Sequence, residues 1–306
     1  MGVAKAIETR QEKGGAPKAR PRSRGSEWTA WLGLLPFLTF AVMFLFLPSA
    51  TIFIRSFQDR SGNFTFDNII ALFTVKDIIN AYRTSLSISL ITAVGGGIFG
   101  FLLAYAVIMG GLPRFLRSFL LTFSGVASNF AGVPLAFAFV ATIGNAGLVT
   151  RLIENWFNID IHAKGFTIYN IYGLSVVYMY FQFPLMVLIM APALDGLRRE
   201  WREACENLGG SELDYWRYVA LPILLPTLLG TMILLFGNAF GAYATAYAFS
   251  GSFINLVTIL IGAQIQGDVL YNPGLGNALA LGMMVIMSLT MLGYLRLQRL
   301  ASRWLR

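Results

Sequence analysis

Few residues in this chain could carry out chemistry, and most of them lie outside its apolar segments. The sequence has one cysteine, Cys205, and one histidine, His162. It can therefore form neither an intrachain disulfide nor a metal centre built on cysteine or imidazole ligands. A phosphate-binding loop of the form Gly-x-x-x-x-Gly-Lys-Ser/Thr is absent from the sequence, so no ATP site is recognisable. The glycine-rich run Gly95-Gly96-Gly97 has no lysine and instead predicts close packing between helices.

The apolar segments contain no group suited to catalysis. A membrane-embedded enzyme needs a nucleophile or an acid–base pair at the depth of the bilayer. These segments lack histidine, cysteine and carboxylates. We therefore predict that the chain is not an enzyme and holds no cofactor or metal of its own.

The composition indicates that lipid surrounds most of the chain. Of its 306 residues, 56% are hydrophobic and only 12% are charged, whereas soluble domains carry about 25% charged residues. The apolar residues fall in long runs, and a helix needs about 20 of them to cross a bilayer. Six runs are long enough and have no charged residue away from their ends: Ala30–Ile54, Thr84–Met109, Ser118–Ile143, Ile168–Leu194, Val219–Phe249 and Leu275–Leu297.

The distribution of basic residues predicts how these six runs are oriented. Six crossings place both termini on one side, and 17 of the 23 Lys and Arg residues lie on that side. The positive-inside rule then predicts cytoplasmic N and C termini. We expect a disordered basic cytoplasmic tail at residues 1–27 and a six-helix transmembrane domain at 28–306. The net charge of +8 is explained by orientation, so the expected contact is membrane lipid and no nucleic acid partner.

The fold class predicted from these runs is all-α, a polytopic membrane protein with six transmembrane helices. One further apolar stretch, Phe253–Gln266, is too short to cross a bilayer easily. It predicts either a re-entrant or an interfacial helix.

The connection between the fourth and fifth runs is the only long hydrophilic loop on the predicted cytoplasmic side. Its first part, from Gly196 to Leu208, mixes Glu with Arg and predicts a charged helix. Gly209 predicts the end of that helix, because glycine readily adopts the left-handed backbone conformation. Ser211 and Asp214 then have the spacing of a capping box, which predicts a second, short helix.

This loop contains a motif of fixed spacing: Glu203-Ala204-Cys205, three residues, Gly209, nine residues, Val219-Ala220-Leu221-Pro222. The motif resembles the EAA loop of binding-protein-dependent, type I ABC importer permeases. That family's pattern is Glu-Ala-Ala, three residues, Gly, nine residues, Ile-x-Leu-Pro. The spacing matches throughout, with cysteine in place of the second alanine and valine in place of isoleucine.

The resemblance implies that the loop at 195–218 couples the chain to a cytoplasmic ATPase. The residues that it assigns to coupling are Glu203, Ala204, Gly209, Ser211, Asp214, Tyr215, Arg217 and Pro222. It also implies the partners of the chain: a second permease subunit, two cytoplasmic ATP-binding subunits that hold ATP and magnesium, and a periplasmic or lipid-anchored substrate-binding protein. The implied location is a bacterial inner membrane.

Polar residues inside the apolar runs are candidates for the substrate pathway. They are Asn129, Tyr180, Gln182, Asn238, Tyr243 and Thr245. Interhelical hydrogen bonding, worth about 0.6–2 kcal/mol, is an equal alternative for each. The segment Asn129–Phe137 is similar to permeases of the spermidine/putrescine-type group, which implies a polyamine-like substrate. The lack of carboxylates in these runs leaves a neutral or anionic substrate open as well.

A secondary transporter or channel without an ATPase partner is the alternative function. Such a protein would need ion-coupling groups inside the membrane, and the apolar runs supply no ionisable residue away from their ends. It would also leave the fixed spacing from Glu203 to Pro222 unexplained.

Overall fold

The computed structural model describes residues 25–157, 167–267 and 270–303, and it shows helices without strands in these ranges. Six described segments are long and apolar enough to cross a membrane: Gly33–Ser56, Lys76–Met109, Gly132–Phe157, Ile171–Asp195, Glu212–Phe240 and Pro273–Arg296. The prediction of an all-α fold with six spanning helices is thereby confirmed. The tail predicted to be disordered spans residues 1–27. Residues 1–24, like His162, lie outside the described residues, and the last three belong to the first helix.

The chain divides at Thr51 into two compact units. The helices are α1 (Gly25–Ala41), α2 (Leu47–Ser56), α3 (Asp67–Thr74), α4 (Lys76–Met109), α5 (Arg114–Asn129), α6 (Gly132–Ile143), α7 (Leu148–Phe157), α8 (Ile171–Asp195), α9 (Arg199–Asn207), α10 (Glu212–Tyr215), α11 (Leu221–Phe240), α12 (Tyr243–Ser250), α13 (Val257–Gln266) and α14 (Pro273–Arg303). Short π-helical turns at Val42–Phe46 and Trp216–Ala220 join α1 to α2 and α10 to α11.

The two π-helical turns occur at the same sequence feature, a Leu-Pro pair. The N–H of Leu47 bonds to the carbonyl of Val42, and the N–H of Leu221 bonds to the carbonyl of Trp216. A proline follows directly in both cases, and its ring clashes with the carbonyl four residues earlier. The wider π turn accommodates that clash without ending the helix. As a result, the helix continues from Glu212 to Phe240 over 29 residues.

Two of the predicted spans are not single helices, and the predictions for them are wrong. The run Ser118–Ile143 is divided into α5 and α6, because Ala131 is extended and Gly132 has a φ of +74°. The run Val219–Phe249 is divided into α11 and α12 around Gly241. Both interruptions lie in apolar sequence, so hydropathy alone did not show them.

The helix α8 lies at the centre of the bundle and packs against α4, α5 and α11. Close approach to α4 depends on glycine: a Cβ at Gly100 would lie 2.6 Å from Cβ of Met186 and 3.1 Å from the carbonyl oxygen of Phe183. At Gly96 a Cβ would lie 2.7 Å from Oε1 of Gln182. The glycine run thus allows helix packing, as predicted from its apolar surroundings.

Buried apolar side chains form two clusters at different levels of α8. The loop cluster lies toward the end of α8 that leads into the hydrophilic loop, and it includes Met186, Met190, Leu194, Leu224 and Leu235. The far cluster lies toward the opposite end, and it includes Leu135, Leu174, Val177, Ala246 and Phe249. The helices α6 and α12 contribute to the far cluster, whereas α11 contributes mainly to the loop cluster.

Candidate coupling loop and substrate pathway

The hydrophilic loop is an ordered pair of helices. The helix α9 ends where predicted, because Gly209 has a φ of +80°. The N–H of Gly210 donates to the carbonyl of Cys205 over 2.9 Å, which pairs a carbonyl that the helix end leaves open. A side chain at position 209 would force strained backbone, so this glycine fixes the direction in which the chain leaves α9.

The second helix begins with the capping box that the sequence predicts. The N–H of Asp214 donates to Oγ of Ser211 over 3.3 Å, and the N–H of Ser211 donates to the Asp214 carboxylate over 2.9 Å. The Ser211 hydroxyl also donates to this carboxylate, over 2.6 Å. These bonds pair N–H groups that a helix start leaves without partners.

Side-chain contacts hold the two loop helices to each other and to the bundle. The guanidinium of Arg202 in α9 lies 2.5 Å from the Glu212 carboxylate in α10. Half-exposed pairs of this kind add only about 0.2–1 kcal/mol, so the contact joins the two loop helices but adds little to stability. Tyr215 is buried, and the ring of Trp216 packs edge-on against Tyr105 of α4 at 5.2 Å.

The surface of the loop exposes two leucines among charged residues. Leu208 is 89% exposed and Leu213 is 71% exposed, on either side of the glycine break. The exposed coupling residues predicted from the sequence are Glu203, Ala204, Gly209, Ser211 and Arg217, while Asp214 and Pro222 are half-buried. On an ordered loop that is otherwise charged, these two side chains offer apolar surface that a partner protein could cover. Sequence reasoning missed both leucines, although their position beside Gly209 and Ser211 was visible.

The two helix breaks lie side by side in the bundle. The backbone N–H of Gly132, at the start of α6, donates to Oγ1 of Thr245 in α12 over 2.8 Å. The hydroxyl of Tyr178 in α8 donates to the carbonyl of Ala242 over 2.8 Å. Each break therefore receives side-chain hydrogen bonds from a neighbouring helix, which replace bonds that the helix interruption removed.

Four of the six pathway candidates are exposed or half-buried and lie at or next to these breaks. Asn129 is exposed at the last residue of α5, and the ring of Tyr180 meets that of Phe130 at 6.2 Å. Tyr243 begins α12 and stacks on Tyr247 at 5.5 Å. Asn238 is exposed in the last turn of α11.

The other two candidates are buried and bond within the chain. Thr245 is 3% exposed and accepts the bond from Gly132. Gln182 is fully buried, and its amide donates to Oγ1 of Thr92 over 3.2 Å and to the carbonyl of Leu235 over 3.4 Å. Their observed contacts are interhelical, and Gln182 connects α8 with α4 and α11.

The region around the breaks is electrically neutral. Residues 118–143 and 219–250 contain no Asp, Glu, Lys, Arg or His. Amide and hydroxyl groups are thus the polar groups that these segments offer, and each can donate or accept hydrogen bonds. This arrangement can bind a polar solute, but it supplies no carboxylate for a cation.

The arrangement of helices is that of known ABC transporters. The chain resembles a bacterial ABC transporter involved in the import of the acidic polysaccharide alginate, with a TM-score of 0.71, 16% identity, and coverage of 90% of this chain and 96% of the other. It also resembles the MetNI methionine ABC transporter, with a TM-score of 0.53, 17% identity, and coverage of 74% and 99%. The fold and the loop together define the permease class of ABC importers.

Residues 96–306 match the family of binding-protein-dependent transport system inner membrane components, and the chain belongs to this family. A probable sulfate transport system permease protein of Nephroselmis olivacea is 25% identical over 217 residues, which cover 70% of this chain and 71% of the relative. The sulfate transport system permease protein CysT of Escherichia coli K12 is 24% identical over 235 residues, covering 75% and 79%. The predicted likeness to spermidine/putrescine-type permeases is not confirmed by these relatives.

We expect the Thr245 hydroxyl to hold the two breaks together. Thr245→Val keeps the side chain's shape but leaves the N–H of Gly132 without its acceptor, at a cost of about 1–3 kcal/mol. Thr245→Ser retains the hydroxyl and is the matched control. Thermal unfolding of the purified protein in detergent should show a lower midpoint for the valine variant than for the serine variant. Equal midpoints for both variants would contradict this role.

Proposed function

We propose that this chain is a transmembrane permease subunit of an ATP-binding-cassette importer and that its loop binds a separate ATPase. The observation that supports this most directly is the exposure of Leu208 and Leu213 on a capped, rigid loop. The family and the EAA motif support the same assignment. The other subunits are a second permease, two ATP-binding subunits that hold ATP and magnesium, and a substrate-binding protein.

The loop is built to transmit displacement. The capping box fixes the start of α10, and the helix then continues through the π turn and α11 to Phe240. A helix of this length moves as a stiff body, so a shift of Leu213 is passed along it to the break at Gly241. Movement of the ATPase pair would in this way change access to the polar groups near the breaks. The chemistry of ATP hydrolysis belongs to the partner, and this chain supplies no step of it.

The proposed location is a bacterial inner membrane, with both termini and the loop in the cytoplasm. The charge asymmetry supports this orientation, because 17 of the 23 basic residues lie on the side of the loop and the termini.

The proposed substrate is sulfate or a similar tetrahedral oxyanion rather than a polyamine. Relatives over more than two thirds of the chain are named as sulfate permeases. The neutral groups near the breaks agree with this proposal, because amide and hydroxyl donors bond well to an anion's oxygens. A polycation, in contrast, would find no opposite charge in residues 118–143 and 219–250.

We expect Leu213→Asp to separate the permease from its ATPase. An exposed leucine that becomes buried on binding contributes about 1.5–3 kcal/mol, so its replacement should weaken docking roughly 10- to 150-fold. Leu270→Asp, at a leucine that is 51% exposed outside the loop, is the matched control. Copurification of the ATP-binding subunit with the tagged permease measures the effect. Full retention in the Leu213 variant would argue against docking through this residue.

The lone cysteine tests the orientation. Cys205 lies in α9, so a membrane-impermeant thiol reagent added to intact cells should not label it. The control is Leu270→Cys in a Cys205→Ser background. This residue should be labelled, because it lies between the fifth and sixth spans and so faces the periplasm in the proposed topology. Labelling of Cys205 from outside would show that the proposed topology is inverted.

Substrate class is tested with the complete importer in proteoliposomes. We expect ATP-dependent uptake of radiolabelled sulfate that other tetrahedral oxyanions inhibit and spermidine does not. ATP-dependent accumulation of spermidine without sulfate uptake would show that the proposed substrate is wrong, while leaving the ABC permease assignment in place.

A further inference from the structure

One ion pair joins two long helices at the loop side of the bundle. The guanidinium of Arg117, in the first turn of α5, lies 2.5 Å from the carboxylate of Asp195. Asp195 is the last residue of α8 and stands directly before the hydrophilic loop. Two further ion pairs, Arg202 with Glu206 and Arg202 with Glu212, lie within the loop. The Arg117 pair, in contrast, connects the entry of the loop to a helix outside it.

The helix α5, to which Arg117 belongs, is not continuous with the next helix, α6. The break at Phe130 and Ala131 detaches α5 from α6, and α5 packs mainly on α8. On the other side of the break, α6 packs mainly on α12, and the two are joined by the Gly132–Thr245 bond. The bundle thus contains two loop-side half-helices, α5 and α11, and two far-side half-helices, α6 and α12.

The two loop-side half-helices have different connections to the loop. The helix α11 is joined to it by continuous helical backbone from Glu212. The helix α5 has no such backbone connection, since α6, α7 and α8 intervene in sequence. Its ionic link to the loop entry is Arg117, and Leu121 one turn later packs against the loop cluster.

Neighbouring charges do not replace either member of the pair. Arg198, three residues after Asp195, has its guanidinium 5.8 Å from the ring centre of Trp201. Arg114, one turn before Arg117, has no ion pair with a described residue. Asp195 and Arg117 are 35–48% exposed, so the pair adds little to stability. The pair is therefore of interest for its position between α5 and the entry of the loop, and not for its strength.

We propose that Arg117 and Asp195 are positioning residues that make α5 move with the loop. A displacement of the loop then turns both loop-side half-helices about the adjacent breaks, α11 through its backbone and α5 through the ion pair. The far-side pair α6 and α12 stays as one body. The polar groups at the breaks, including Asn129 at the end of α5, are thereby repositioned together. This inference rests on the proposed docking of an ATPase on the loop.

The test uses the complete importer in proteoliposomes and measures the uptake of radiolabelled sulfate per ATP hydrolysed. Arg117→Gln and Asp195→Asn should each lower this ratio several-fold while the ATP-binding subunit still copurifies and the basal ATPase rate is kept. The exchanged pair, Arg117→Asp with Asp195→Arg, should recover most of the ratio. Arg83→Gln, at an exposed arginine of α4 near the far end, should leave the ratio unchanged.

The possible outcomes distinguish a failure of this inference from a failure of the proposed function. A normal ratio in both single variants, with the ATPase bound, would overturn the coupling role of the pair. The coupling role would also be overturned if the exchanged pair folds with a normal melting temperature but does not recover the ratio of uptake to ATP hydrolysed. Failure of the unmodified chain to bind any ATP-binding subunit would instead overturn the proposed function, and the inference with it. Recovery by the conservative double variant Arg117→Lys with Asp195→Glu would support the inference.

Discussion

The pairing of backbone N–H and C=O groups is the constraint on which the rest of this structure depends. In hydrocarbon an unpaired group costs several kcal/mol, so a spanning helix can stop only where something else supplies the missing bonds. At Gly132 the partner is the Thr245 hydroxyl, and at Ala242 it is the Tyr178 hydroxyl. Before Leu221 the π turn keeps the helix bonded through a proline. Each of these irregularities is therefore local, and a hydrogen bond at each one compensates for the interruption.

The two helix breaks lie between two closely packed parts of the bundle, the loop cluster and the far cluster. Glycines in α4 let α8 approach closely, and Gln182 adds hydrogen bonds to α4 and α11. The far cluster and the loop cluster meet near the level of the breaks along α8. Close-packed apolar clusters resist internal deformation, so the movement proposed for the transport cycle would fall between them. A transport cycle needs such a division, because the substrate's access must alternate while the membrane stays sealed.

The sequence predicted the features that local signals encode. The six apolar runs, the helix end at Gly209 and the cap at Ser211 each follow from residues within a few positions of one another. The two breaks did not, because residues such as Ala131 and Ala242 are as apolar as their neighbours and hydropathy treats both sides alike. The Arg117–Asp195 pair joins residues 78 positions apart, a distance at which sequence spacing gives no signal. Gln182 was predicted as a pathway candidate on polarity alone, and only the fold shows its bonds to neighbouring helices.

The π turn before Leu221 also determines an angular phase. Each residue of an α-helix rotates the chain by about 100°, and a π turn takes up one residue more than a regular turn. The direction in which α10 presents Leu213, relative to the face of α11, is therefore a matter of counting residues between Ser211 and the Leu-Pro pair. This rotational requirement fixes the length of the stretch and the proline, whereas Asp214, Tyr215 and Trp216 are fixed by their own contacts. Such a rotational requirement would appear in a sequence as a motif with fixed spacing, like the one from Glu203 to Pro222.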